Sequence, residues 1–117
     1  MIHPLIVRLE ELTLQMAQAL EKEDISRLLD LLDQRQQCME DYEQYKNSPD
    51  WRLPDEEERQ VHQEILRIDA ANRQTLTQLL HAHQEKQTQW RKIRQATHYY
   101  LGTDAPGDTS AFFNKKS

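Results

Sequence analysis

The first 101 residues contain no glycine, and within them proline stands only at positions 4, 49 and 54. Both glycines, Gly102 and Gly107, lie in the last sixteen residues. Glycine and proline are the strongest interrupters of helix, costing about 1 and about 3 kcal/mol relative to alanine in a helix interior, so their placement nearly draws the element map. The expected fold is all-α: an antiparallel three-helix bundle or coiled coil over residues 1–101 with a long third helix, then an irregular, flexible tail over 102–117. A chain of 117 residues suits a single domain with one modest core.

The expected helices span about 4–22, 25–46 and 54–101. Pro4 suits a first helical turn, where its missing N–H is no loss. Leu5, Leu9, Leu12, Met16 and Leu20 recur at spacings of four and three and so share one face. The five-residue step from Leu20 to Ile25 rotates that stripe, which favours a break with Asp24 as the next N-cap; a helix continuous through 21–24 is the alternative. In the second helix, Ile25, Leu28, Leu32 and Met39 form one stripe and Leu31, Cys38, Tyr42 and Tyr45 another. With Leu29 they cover roughly 200° of arc, which predicts a middle element with neighbours on two sides. Residues 47–53 read as a connection whose Trp51 and Leu53 pack over the bundle end.

Pro54 is expected to open the third helix, with Asp55, Glu56, Glu57 and Glu58 in the first turn, where carboxylates complement the helix dipole. Its inward positions are Val61, Ile65, Ile68, Asn72, Leu76, Leu79, His83, Trp90, Ile93, Thr97 and Tyr100, and Gly102 caps its end. Asn72 is a polar residue in a helical seam, a type that sets register; Arg35 is expected to pack its methylenes and extend its charge to water.

An unbroken 54–101 helix would be about 70 Å long, roughly twice the second helix, and would run back along it. The overhang leaves Leu76, Leu79, Leu80, His83, Trp90, Ile93, Tyr99 and Tyr100 as the candidate partner-binding stripe, rich in the aromatic types that dominate interfaces. A continuous first helix would remove the overhang. In the tail, Phe112 and Phe113 precede Asn114-Lys115-Lys116, an apolar pair able to dock on a surface.

Other chemistries find little support. A net charge of −5 favours neither a phosphate backbone nor an anionic membrane. No apolar run approaches the ~20 residues of a membrane span, and Met1-Ile2-His3-Pro4 does not open a signal peptide. Cys38, the lone cysteine, suits a reducing compartment and the role of a small apolar filler, so the expected location is cytoplasmic. His81 and His83 point about 200° apart on a helix, and no His-x-x-x-His pair occurs, so no metal site is expected. No glycine-rich phosphate loop or nucleophile elbow is present, and pairs such as Glu10-Glu11 or Asp30 and Asp33 read as solvated helix faces. Catalytic residues and cofactors are expected to be none.

Several segments together carry a family resemblance. These are Leu9-Glu10-Glu11-Leu12, Ala19-Leu20-Glu21-Lys22-Glu23-Asp24-Ile25 leading into Leu28-Leu29-Asp30-Leu31-Leu32-Asp33-Gln34-Arg35, then Ile65-Leu66-Arg67-Ile68-Asp69 with Asn72-Arg73, and the ending Ser110-Ala111-Phe112-Phe113-Asn114-Lys115-Lys116. The chain resembles the FliT-type flagellar export chaperones, particularly their short, Gram-positive-like members. The resemblance implies a cytosolic helical chaperone of the flagellar type III export system. It would bind the C-terminal helical segment of the filament-cap protein, prevent premature assembly and contact the export ATPase. It also implies Phe112 and Phe113 as masking residues over the client site. Two alternatives come from other classes. One is a coiled-coil interaction module that self-associates, for instance as a homodimer. The other is a helical chorismate mutase-like enzyme, suggested by the leucine-rich, Arg35-ended stretch but lacking that family's Arg-x-x-Ile-Asp start.

Overall fold

The computed structural model describes residues 2–83 and 89–102. Four helices follow one another: α1 (Pro4–Glu21), α2 (Ile25–Lys46), α3 (Glu56–Ala82) and α4 (Trp90–Leu101). The body measures 51 × 22 × 19 Å, so the anticipated single rod over 54–101 is replaced by two helices. The reason lies in the composition of the chain after Leu80. Residues 81–89 contain only Ala82 as an apolar residue, so a straight continuation would bury nothing there. His83 adopts an extended backbone (φ −95°, ψ 143°) that closes α3, its N–H bonded to Leu79 O. Folding α4 back buries Ile93, Ala96 and Tyr100 on the body of the chain.

Between α1 and α2, Lys22 closes the first helix, Glu23 takes a left-handed conformation (φ 53°), and the Asp24 carboxylate accepts from the Arg27 N–H. The Asp24 N–H also bonds to Ala19 O at 2.8 Å, so the break is a tight, hydrogen-bonded turn. α3 begins two residues later than Pro54. Asp55 is its N-cap in a complete capping box with Glu58, and buried Pro54 precedes the cap. At the far end Gly102 (φ 56°) caps α4, its N–H bonded to His98 O.

The packing order differs from the expected one. Arg8 donates to Gln34 and the Cys38 thiol to Leu5 O, so α1 and α2 are antiparallel. His3 meets Glu58 and Thr13 meets Asn72, numbers rising together, so α1 and α3 lie side by side and parallel. α4 closes the ring, packed on α3 and on α2. Among the described residues α1, and not α2, is the middle element of the first three helices, joining α2 to α3, which sit diagonally. The wide apolar arc of α2 is explained by two neighbours, α1 and α4.

Leu9, Leu12, Met16, Leu20, Ile25, Leu28, Leu31, Leu32, Cys38, Tyr42, Ile65 and Leu76 fill the core, as their spacing implies. Ile6 takes a place in the core and Leu5 packs at its edge. Asn72 is buried and donates from Nδ2 to Thr13 O at 3.2 Å, using a carbonyl of α1. That carbonyl can take a second donor because the register of the parallel pair puts it opposite Asn72.

The end where α1 starts, α2 finishes and α3 begins is held by Glu58. It is 1% exposed. Its Oε2 accepts from the His3 N–H at 2.8 Å and its Oε1 from the Asp55 N–H at 3.0 Å, while Arg52 Nη1 reaches Oε1 at 2.8 Å. Burial alone would raise this carboxyl; the hydrogen bonds from Arg52, Asp55 and His3 outweigh it and hold it below the usual carboxylate range. Beside it the Trp51 ring packs edge-on to Tyr42 (5.9 Å) and Tyr45 (5.5 Å), and His3 lies 4.2 Å from Tyr45. Leu53, by contrast, remains 59% exposed.

Acid should therefore loosen the fold in two stages. Burial lowers the imidazoles of His62 and His3 below the free value of 6.5, so both are kept neutral. Their contribution is whole above pH 6.5 and declines as pH falls through that value. The Glu58 value lies below the free 4.5, so its contribution persists above 4.5 and is lost as pH falls through the folded value. Urea unfolding followed by circular dichroism should show both declines. Glu58→Gln should shrink the lower one and cost about 1–3 kcal/mol at neutral pH, because two part-buried backbone N–H groups lose a charged acceptor.

Candidate functional site

α4 is a short amphipathic helix laid along two others, and its inward residues meet a charged group. Tyr100, 2% exposed, donates its hydroxyl to Asp69 Oδ1. Asp69, 3% exposed on α3, is paired with Arg73 Nε at 3.0 Å and faces Arg35 Nη2 of α2 at 3.9 Å. Both guanidinium carbons lie 5.3 Å from the centre of the Tyr100 ring. One carboxylate thus joins α2, α3 and α4, with two cations stacked on the ring that also bonds it. Burial, followed by the Asp69 charge and hydrogen bond, pushes the Tyr100 phenol far above its ordinary value, so it stays a hydrogen-bond donor at any physiological pH.

The rest of α4 is tied more loosely. Ile93 and Ala96 are buried, and the Thr97 hydroxyl donates back to Ile93 O at 2.7 Å. Lys92 Nζ reaches Ser26 Oγ on α2 at 3.0 Å. Tyr99 is 39% exposed and bonds Asp33 of α2; partial burial and then that carboxylate push its phenol up to about 12. Near the start of α4, His83 at the end of α3 contacts Glu23 Oε1 through Nε2 at 3.2 Å.

These positions recast the candidate stripe. Leu76, Ile93 and Tyr100 are sealed in the core of one copy, and Leu79, Leu80, His83 and Trp90 are half-buried, leaving Tyr99 as the exposed member. The eight residues therefore do not form an overhang, because α4 reverses and covers its own stripe. Arg35 does not extend to water: at 3% exposure it is paired with Asp69 and stacked on Tyr100. That pairing also occupies the arginine that a mutase-like reading would aim at a dianionic substrate. Phe112 and Phe113 lie outside the described residues. Among the described residues there is no group of three His, Cys, Asp or Glu side chains placed to hold a metal ion, and no helix is long and apolar enough to cross a membrane.

Asp69 and Arg73 are not marked by the apolar stripes, although the sequence carries a signal for them. Asp69 falls four residues after Ile65 and Arg73 four after Asp69, and Asn72 sits seven after Ile65, so the inward face of α3 carries a polar band between Ile68 and Leu76. Three polar groups within about one inward turn call for partners from neighbouring helices, and Tyr100, Arg35 and the Thr13 carbonyl supply them.

An all-α bundle whose last short helix lies in a groove between two longer ones is the class that this arrangement defines. A family model described as "Flagellar protein FliT" matches residues 4–102, from the first residue of α1 to the glycine that caps α4. The chain belongs to the FliT family, and the role that this family implies is that of a flagellar export chaperone, not a known enzyme activity. Neither the curated proteins nor the solved structures provide a match.

Tyr100→Phe should separate the polar anchor of α4 from its apolar contacts. It removes one hydrogen bond from a buried carboxylate, so a loss of about 1–3 kcal/mol is expected in urea unfolding. The amides of α4 should then exchange with deuterium faster than in the unaltered chain, while those of α1 change less. Equal α4 exchange with and without the hydroxyl would show that it contributes nothing to the seat of that helix.

Proposed function

We propose that the chain is a cytosolic export chaperone for the filament-cap protein. It holds that protein's C-terminal helical segment unassembled, and the segment takes the groove between α2 and α3 where α4 lies. One observation carries this reading: α4 is a twelve-residue helix that contributes only Ile93, Ala96 and Tyr100 to the core. A helix of that length is marginal by itself in water and owes its order to the groove beneath it. A client helix with a similar apolar row can fill the same surface, with Leu76, Leu79, Leu80 and His83 on the α3 wall. In this reading Trp90, Ile93, Tyr99 and Tyr100 belong to the cover and not to the seat. The masking role that the resemblance gives to Phe112 and Phe113 is then taken at least in part by α4. A contact with the export ATPase is a further expectation of the resemblance.

Self-association is the less favoured reading. The large apolar side chains exposed among the described residues are Val7, Leu14, Leu53 and Tyr99, spread over α1, the α2–α3 connection and α4. That dispersal suits a monomer better than a stable dimer face.

The test is calorimetric titration with a synthetic peptide of the cap protein's C-terminal segment. Displacing α4 reduces apparent affinity by the fraction of molecules that are open, so Tyr100→Phe should tighten binding by at least about fivefold, the equivalent of about 1 kcal/mol lost from the seat of α4. Leu79→Glu with Leu80→Glu should weaken it at least about tenfold, because charge would enter the seat. An affinity unmoved by Tyr100→Phe would put the client on another face. Absence of binding in all forms would remove the cap protein as client.

A further inference from the structure

The outer face of α4 has a character found on no other helix among the described residues. The helix sequence Trp90-Arg91-Lys92-Ile93-Arg94-Gln95-Ala96-Thr97-His98-Tyr99-Tyr100-Leu101 contains three Lys or Arg and no Asp or Glu, in a chain of net charge −5. While Ile93, Ala96 and Tyr100 point inward, Arg91, Arg94, Gln95 and His98 are exposed at positions i, i+3, i+4 and i+7, a single straight row. With half-buried Trp90 they line one open depression. Arg94 stacks over the Trp90 ring, its guanidinium carbon 5.3 Å from the centroid. Neither Arg91 nor Arg94 has an ion-pair partner among the described residues, whereas Arg52, Arg59, Arg67 and Arg73 are each paired with a carboxylate. Lys92, the remaining cation of α4, is held sideways to Ser26.

We propose that this row is a docking surface for an acidic amphipathic helix of another protein, distinct from the α2–α3 groove. Charge identifies the occupant. Two guanidinium groups one turn apart, neither ion-paired among the described residues, with an amide and an imidazole continuing the row, match a helix that presents carboxylates at the same spacing. Trp90 at the end of the row supplies a large, partly apolar anchor of the type that concentrates interface energy, held in place by the stacked Arg94. The negative remainder of the chain repels both nucleic acid and anionic lipid, so a short basic row in that setting selects a partner no wider than one helix. The surface lies on the opposite side of α4 from the client seat, so this inference stands or falls separately from the chaperone reading.

The experiment uses the full chain and a fluorescent, alanine-based helical peptide with glutamates at i, i+3, i+4 and i+7 and leucines flanking the row. Its control is a peptide of the same composition with the glutamates distributed around the helix. Fluorescence anisotropy at low salt should show the aligned peptide binding at least about tenfold tighter than its control, with the preference falling as salt is added. Arg91→Glu with Arg94→Glu should abolish that preference, and the same variant should instead favour the aligned peptide carrying lysines in place of the glutamates. Because both arginines are exposed, the charge swap leaves the core untouched, and gain of the lysine peptide shows that the variant is folded. Equal binding of aligned and control peptides would overturn the proposal. So would a preference that survives the charge reversal, or tighter binding of a single-stranded oligonucleotide or of phosphatidylserine vesicles than of the aligned peptide.

Discussion

A carboxylate buried where three helices meet is costly unless each of its oxygens is matched, and the seating of α4 in this protein depends on that requirement. Asp69 is paired with Arg73 on its own helix, faces Arg35 across from α2, and receives the Tyr100 hydroxyl from α4. Loss of the phenol leaves one carboxylate oxygen short of a hydrogen bond, and loss of an arginine leaves the carboxylate with less compensating charge in a desolvated site. The cluster therefore does what an apolar contact could not: it fixes the one register of α4 in which the phenol reaches the carboxylate. A hydrophobic helix lying in a hydrophobic groove can slide by a turn at little cost, whereas this one is indexed.

The bundle is thus stitched by two ionic centres of different kinds. Asp69 joins side chains to side chains at mid-height. Glu58 joins chain segments through their backbone N–H groups at one end, where His3 and Asp55 both donate to it. Backbone donors at helix starts are unpaired by construction, so a carboxylate placed between two such starts satisfies both at once and needs no induced change in either helix. The parallel pairing of α1 and α3 is the geometric result, because only a parallel pair brings two N-terminal ends together.

The helical class, the position of the α1–α2 break and the main core residues are legible in the sequence, because each rests on local signals: glycine and proline placement, the N-capping Asp24, and leucines at three- and four-residue spacing. The reversal after α3 is not. No residue between Leu80 and Trp90 forbids a helix, and the signal is the lack of anything there worth burying. A breaker announces itself in one residue, whereas an empty stripe is visible only against the length of helix it would have to support. Arg35 departs from expectation for a related reason. Its long stem makes snorkelling the usual outcome, and only the partners brought by α3 and α4, far away in sequence, make full burial tolerable. The spacing of the stripe residues identifies an amphipathic face, but their exposure depends on a topology that local patterns do not encode.

The two ends of the bundle are unlike in how they are closed, and this gives the molecule a mechanical polarity. Where Glu58 gathers three chain segments, aromatic rings pack around the junction. At the opposite end the polar contacts between helices, among the described residues, are exposed ones, Glu23 with His83 and Lys92 with Ser26. A polar contact open to water holds less than one sealed from it, so in its polar contacts the Glu58 end is the better fastened of the two.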